Sequence, residues 1–379
     1  MVKLTSLAIH CLAFALCGMV AHGQEISSTM TEQKIQLVVH GGAGTIERSK
    51  MTPGKEQEYR AGLENALRAG REILQRGGSS LDAVEAAVRV LEDDPHFNAG
   101  KGSVFTSAGK IEMDAAIMDG KTLAAGAVAG IEHVRNPIVL ARAVMEKSKH
   151  VMMVGAGAEK FAKGHGIEMV DPKYFFTQDR WDAFQKIKAA EEAGADGSKK
   201  FIISDAERHG TVGAVARDSQ GNLAAATSTG GTTNKLPGRV GDSPVIGAGT
   251  YADNATCAVS CTGDGEFFIR ASVAHQVSVL MELRGMSLSE AAERALAQAE
   301  KLGGTGGLIA VDKNGNIALP FNTSGMYRGH IREDGKFVIE IYKWSSASLQ
   351  LANSVVTSET LGATSIHASC NLRCYPRLQ

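Results

Sequence analysis

The stretch TVGAVARDSQGNLAAATST, residues 211–229, constrains the fold more than any other in this 379-residue chain. Alanine, valine and leucine occupy both alternating sets of positions in each arm, so neither face of either arm is polar. Strands of that composition suit a sheet covered on both sides. Between the arms lies DSQGN, built from the residues that close tight turns. The expectation is a hairpin buried in a layered structure. Counting outward from a turn at Ser219 and Gln220 sets Thr211 opposite Ser228 and beside Thr229. Two threonines therefore meet at one end of the sheet.

The rest of the chain supplies the layers. A buried strand, IQLVVHGGAG, comes first, followed by helical patterns at roughly Glu56 to Gln75 and in SLDAVEAAVRVLEDD, with Ser80 as N-cap. Next come the loop PHFNAGKGSVFT, a hairpin through GKIEMDAAIMDG and AAGAVAG, and a helix near Asn136 to Lys147. From about Gly164 to Arg208 the chain turns polar and reads as linker or lid, with a short amphipathic helix in DRWDAFQKIKAAEEAG. Beyond Thr211, TCAVSCTGDGEFFIRASVAHQVSVLMEL reads as a strand running into a helix. A helix at SLSEAAERALAQAEK and the strands GGLIAVDKNGNIALPF and KFVIEIY follow. Residues after about Lys343 show no periodicity.

With 44% hydrophobic residues the chain can bury a substantial core, and its length allows two or three domains. A formal charge of -1 gives no footprint for nucleic acid or an anionic membrane, which leaves a small molecule as the partner. Residues 1–23 read as a secretory signal: Lys3, the apolar run LTSLAIHCLAFALCGMV, then the small-residue site AHG. Export, to a secreted or periplasmic location, is expected. Of six cysteines, Cys11 and Cys17 lie in that signal. Cys257 and Cys261 share one face of a strand but sit roughly 13 Å apart, too far to pair. Cys370 and Cys374, in the tail, are free to pair or to stay reduced. No CxxC or HExxH spacing marks a metal site.

Two hydrolase or nucleotide readings fail on spacing. HGGAG after a strand resembles the oxyanion loop of serine α/β-hydrolases, yet no GxSxG elbow occurs. GAGTYA is a lone GxGxxA with no helix after it, and there is no P-loop lysine motif. What remains is the threonine pair. A threonine hydroxyl needs a base, and no histidine or lysine is placed by sequence to serve. If the Gly210-Thr211 bond were cut, the new α-amine, with an ordinary pKa of about 7.7 to 8.0, could be that base.

The stretches VVHGGAGTI, FNAGKGSVFT, MDAAIMDG, HGTVGAVA, ATSTGGTTNKLPGRVGDSPVIGAGTYAD and CTGDGEFFIR carry a resemblance. From about Lys34 to Tyr342 the sequence resembles the plant-type L-asparaginase/isoaspartyl peptidase family of N-terminal-nucleophile hydrolases. The resemblance implies an α+β fold, an αββα sandwich formed by a precursor that cleaves itself between Gly210 and Thr211. The hydrolase domain would span 24–342, as chains 24–210 and from 211, with a tail at 343–379. Thr211 would be nucleophile and, through its freed amine, general base, with Thr229 hydrogen-bonded to it. Arg239 would grip the substrate α-carboxylate, and Asp242 with the Gly265 carbonyl the α-amine. Thr262 and the Gly263 N–H would form the oxyanion hole, and Asn98 would orient the Thr211 amine. Backbone carbonyls of Leu91, Glu92, Asp94, Phe97, Ala99 and Lys101 resemble a structural sodium loop; catalysis needs no cofactor. A homodimer of αβ units is implied.

The substrates would be isoaspartyl dipeptides and L-asparagine. Glycosylasparaginase is the alternative within the fold, and an uncleaved exported amino-acid-binding protein the alternative from another class. Outside this motif an Arg-x-x-Asp pair is usually a surface ion pair, Asn98 a turn residue and Thr262 a helix N-cap. His40 and His209 are expected to be structural. Asp264, between two glycines of the oxyanion segment, is a position the family varies.

Overall fold

A computed structural model of the protein describes residues 34–192 and 210–343. The expected signal, His209, and the tail with Cys370 and Cys374 lie outside the described residues. The first strand, β1 (Gln36–Gly44), leads into α1 (Pro53–Gln75) and α2 (Ser80–Asp93). The hairpin β2 (Met113–Asp119) and β3 (Ala125–Ile131), then α3 (Pro137–Lys147), β4 (Met152–Val154), α4 (Gly155–Gly164) and α5 (Gln178–Glu192) complete the first half. The second half holds β5 (Val212–Arg217), β6 (Leu223–Thr229), β7 (Thr250–Ala252) and β8 (Cys257–Gly263). After these come α6 (Gly265–Ala271), α7 (Val273–Arg284), α8 (Leu288–Lys301), β9 (Gly306–Asp312), β10 (Ile317–Ala318), β11 (Gly325–Ile331) and β12 (Phe337–Tyr342).

The strands form an eight-stranded sheet, in the order β12-β11-β1-β5-β6-β2-β3-β4, and a four-stranded sheet, β10-β9-β8-β7. Strand alternation explains the layers. Along β1, Leu37 and Val39 face a core shared with Leu63 and Leu67 of α1 and Val84 and Val88 of α2, while Val38 faces Val215, Ile309 and Val311 between the sheets. On the far side, Cys257, Val259 and Cys261 of β8 pack under Val277 of α7 and Ala291, Ala295 and Ala299 of α8. Helix, sheet, sheet, helix is the αββα sandwich expected from the resemblance. Cys257 and Cys261 are buried free thiols.

Several local expectations need correction. The β5–β6 hairpin pairs Val212 with Ser228 and Arg217 with Leu223, which places Thr211 opposite Thr229 and not Ser228. Gly221, at φ +84, adds a third residue to the turn, and the Asp218 N–H donates to the Asn222 carbonyl at 3.0 Å across it. Ser79, not Ser80, caps α2 by accepting from Asp82 N–H, and α1 starts at Pro53 behind the Thr52 cap. The long helix after β8 breaks at Ser272, which is left-handed at φ +48. β4, α4 and β11 had no clear sequence signal. Residues 164–192 are more than lid: Phe175 and Phe184 are buried with Phe105, Ile111 and Met113.

Candidate active site

The ends of three neighbouring strands meet at Thr211. Thr229 closes β6 directly opposite, and Asp114 of β2 lies opposite Thr229 in turn. The Thr211 hydroxyl donates to Thr229 Oγ1 at 3.0 Å, and both residues are buried. Thr229 Oγ1 also accepts the Gly231 N–H at 2.9 Å. Its hydroxyl oxygen is thus tied to the backbone on one side and to the nucleophile candidate on the other.

Gly210 is wedged between two elements. A Cβ on Gly42 would lie 2.6 Å from Gly210 Cα, and a Cβ on Gly210 would lie 2.9 Å from Asn98 Cβ. The pairing of β1 with β5 runs as far as His40, its pairing with β11 is interrupted between His40 and Gly42, and Gly42 sits at φ +111. Gly42 of HGGAG therefore makes room for the backbone at 210. In the sequence the HGGAG glycines are weighed as an oxyanion loop of another fold and then as part of the family resemblance, without a role at residue 210.

Asn98 holds the opposite wall. Its Nδ2 donates to the Gly231 carbonyl at 2.7 Å, its Oδ1 accepts from Val104 N–H at 3.0 Å, and its own carbonyl accepts from Gly230 N–H at 3.0 Å. In the intact chain the Asn98 amide thus fixes the Gly230-Gly231 corner behind Thr229.

Thr262, at the end of β8, brings in the second sheet. It is buried and accepts the Ala43 N–H at 3.4 Å, while Gly263 is at φ +147, where a Cβ would collide with the Thr305 carbonyl. The Asp264 carboxylate accepts from Thr305 N–H at 2.8 Å and from its hydroxyl at 2.9 Å, so it is engaged with the start of β9.

Arg239 and Asp242, from the loop after β6, meet Gly265 at the start of α6. A Cβ on Gly265 would lie 2.9 Å from both Asp242 N and Oδ1 and 3.0 Å from Arg239 Nη2. Burial works against the Arg239 charge, yet the carboxylates around it, Glu266 foremost, hold its pKa above the ordinary value. A Cβ on Gly231 would lie 3.3 Å from Arg239 Nη1, which puts the guanidinium at the Thr229 corner. A cationic and an anionic group thus converge beside a paired hydroxyl, the layout of a socket for an amino-acid head group.

A family model described as Asparaginase matches residues 33–341. The chain belongs to the asparaginase family. It is similar to the isoaspartyl peptidase of Salmonella typhimurium, 54% identical over 296 residues that cover 78% of this chain and 94% of the relative. The isoaspartyl peptidase of Escherichia coli is 53% identical over 298 residues, covering 78% and 92%. The isoaspartyl peptidase/L-asparaginase of Bos taurus is 44% identical over 291 residues, covering 76% and 91%.

Three buried side chains around this asparaginase-family site were not singled out by the sequence for their side chains. Lys235 donates to the Glu112 carbonyl at 2.7 Å, and its Nζ would lie 3.1 Å from a Cβ on Gly231; burial lowers its pKa, and Asp114 and Glu112 oppose that. Burial raises the pKa of Asp114, whose Oδ1 accepts Gly130 N–H at 2.9 Å. Glu92 accepts from the Ser228 hydroxyl at 2.6 Å and from Ile138 N–H at 3.0 Å, and burial pushes it up to about 8. A residue whose side chain bonds the strand next to Thr229 gives no such signal in sequence, because the contact is 136 positions away.

His40 is structural, as expected. Its Nε2 lies 2.9 Å from Ser260 Oγ, which continues to Thr227 at 2.8 Å and Thr250 at 2.6 Å. Burial brings its pKa down to about 3, against a backbone interaction with Thr211. The ring stays neutral beside the site. In the 91–101 loop a Cβ on Gly100 would collide with the Glu92 carbonyl, and one on Gly102 with the Phe97 carbonyl. Lys101 directs its ammonium over the Tyr174 ring at 5.5 Å.

Proposed function

We propose that this protein hydrolyses β-aspartyl amide bonds, in isoaspartyl dipeptides and in L-asparagine, with Thr211 as nucleophile after the chain cleaves itself before that residue. The observation that carries the reading is the Thr211–Thr229 hydroxyl pair at 3.0 Å, set against a Gly210 that both neighbours crowd. In maturation, Thr211 Oγ1 attacks the Gly210 carbonyl carbon and the peptide nitrogen leaves as the free amine. Water then hydrolyses the resulting ester. Fixed neighbours supply the proximity such a step requires.

The new amine takes the hydroxyl proton of Thr211 when a substrate is bound, and Oγ1 attacks the side-chain amide carbon. Thr262 and the Gly263 N–H face the developing oxyanion. The leaving ammonia or amino acid is protonated by the ammonium of Thr211, and water releases aspartate from the ester. Arg239 receives the α-carboxylate, and Asp242 with the Gly265 carbonyl receives the α-amine. The relatives named isoaspartyl peptidase support this choice over glycosylasparaginase and over a binding protein. Export directed by residues 1–23, a homodimer of αβ units and a sodium ion on the carbonyls of the 91–101 loop belong to the same proposal. Such an ion would stiffen the loop that carries Asn98.

The deciding experiment compares isoAsp-Leu with α-Asp-Leu. In an α-linked peptide the aspartate α-carboxylate is spent in the peptide bond, so the inner N–H edge of Arg239 would lose the partner it gains from an isoaspartyl substrate. The isoaspartyl peptide should be cut and the α-peptide not. Comparable rates would overturn the socket.

A further inference from the structure

Arg239 is already engaged by a carboxylate of its own chain. Its Nε donates to Glu266 Oε1 at 2.9 Å and its Nη2 to Glu266 Oε2 at 2.9 Å, a two-bond fork from the first turn of α6. A guanidinium carries five N–H groups, and this fork uses the Nε edge and one proton of Nη2. Among the described residues three remain without a hydrogen-bond partner, two of them on Nη1. That atom faces inward: a Cβ on Gly241 would lie 2.9 Å from it and one on Gly231 3.3 Å, and the Gly231 N–H is the donor to Thr229 Oγ1. The outer edge of Arg239 is held at the rim, where the Glu266 side chain is 61% exposed, while the arginine is 18% exposed. The free edge points to the threonine corner.

We propose that Glu266 is a positioning residue for substrate binding: it locks the outer edge of Arg239 so that the inner N–H edge is presented to the α-carboxylate. This rests on the reading of Arg239 as the carboxylate clamp. A long arginine side chain loses rotamer freedom on binding, and a partner that fixes it beforehand removes that cost from the binding step. At Gly265, the residue before Glu266, a Cβ would crowd both Arg239 and Asp242. One helix start therefore sets both halves of the socket. The opposite reading takes Glu266 as a carboxylate that the substrate must evict, and it predicts the opposite sign.

The test uses the cleaved enzyme and isoAsp-Leu, with Glu266→Gln, Glu266→Ala, Arg239→Ala and the double variant Arg239→Ala with Glu266→Ala. Removing the preset orientation should raise KM by about tenfold in Glu266→Ala and by less in Glu266→Gln, which keeps one acceptor, while kcat changes by less than about threefold. In the Arg239→Ala background the second substitution should add nothing to KM, because no guanidinium is left to orient. A KM that falls or stays constant in Glu266→Ala overturns the proposal, as does a full tenfold effect persisting without Arg239. If Arg239→Ala itself leaves KM unchanged, the clamp reading fails and this inference with it. A raised KM in Arg239→Ala beside an unchanged one in Glu266→Ala overturns the positioning role alone.

Discussion

At the scale of single residues, the chemistry of the site turns on hydroxyls and one guanidinium. Thr229→Val keeps shape but removes the oxygen that joins Thr211 to Gly231 N–H. Both self-cleavage and turnover should fall by more than about tenfold, the scale of one hydrogen bond to a reacting group. Fragment formation and kcat, followed separately, check this. Arg239→Lys replaces a fork with a point charge, which cannot serve Glu266 and a substrate carboxylate together. KM for isoAsp-Leu should rise in that variant, and an unchanged value would count against the clamp. A Cβ at Gly42 meets Gly210 at 2.6 Å on a left-handed backbone, so Gly42→Ala should slow cleavage more than it lowers the melting temperature.

At the scale of elements, Glu92 ties α2 to β6. Its pKa is raised by burial to about 8, so between the ordinary carboxylate range and about 8 the folded chain holds a proton that the unfolded chain has lost. The stability from that proton is complete at low pH and is lost as pH rises through this window. Glu92→Gln removes the titration. The melting temperature of the variant relative to the parent should therefore climb between pH 5 and 8; a constant difference would contradict the buried neutral acid. His40 acts in the other direction, since its lowered pKa costs stability as pH falls below the ordinary histidine value.

The elements also show what could be read from sequence alone. Runs apolar on both faces and the turn residues between them were enough for the paired strands β5 and β6, because local pattern decides burial there. The register was not legible, since the extra turn residue depends on Gly221 taking φ +84. β11 escaped because glycine, arginine and histidine in GMYRGHI mask its alternation; of its two partners, β12 follows directly in the chain, but β1 is remote in sequence. The hairpin count brought the two threonines to one end of the sheet but one residue out of register, whereas Arg239, Asp242 and Thr262 rested on resemblance. Lys235, Asp114 and the Glu92 side chain needed three dimensions, because each is defined by contacts remote in sequence.

At the scale of the whole molecule, the two sheets share one core, with Val38 and Val215 of the large sheet packed on Ile309 and Val311 of the small one. β1, which precedes the proposed cleavage point, is flanked on both sides by strands that follow it, β11 and β5. Cutting at 210–211 should therefore leave two chains that purify together and separate only on denaturation. The most direct test is the mass of the denatured protein, wild type beside Thr211→Ala. The account predicts two fragments in the wild type, the second beginning at Thr211, and one chain in the variant. A wild-type chain that stays whole on prolonged incubation, while still hydrolysing isoAsp-Leu, would contradict it.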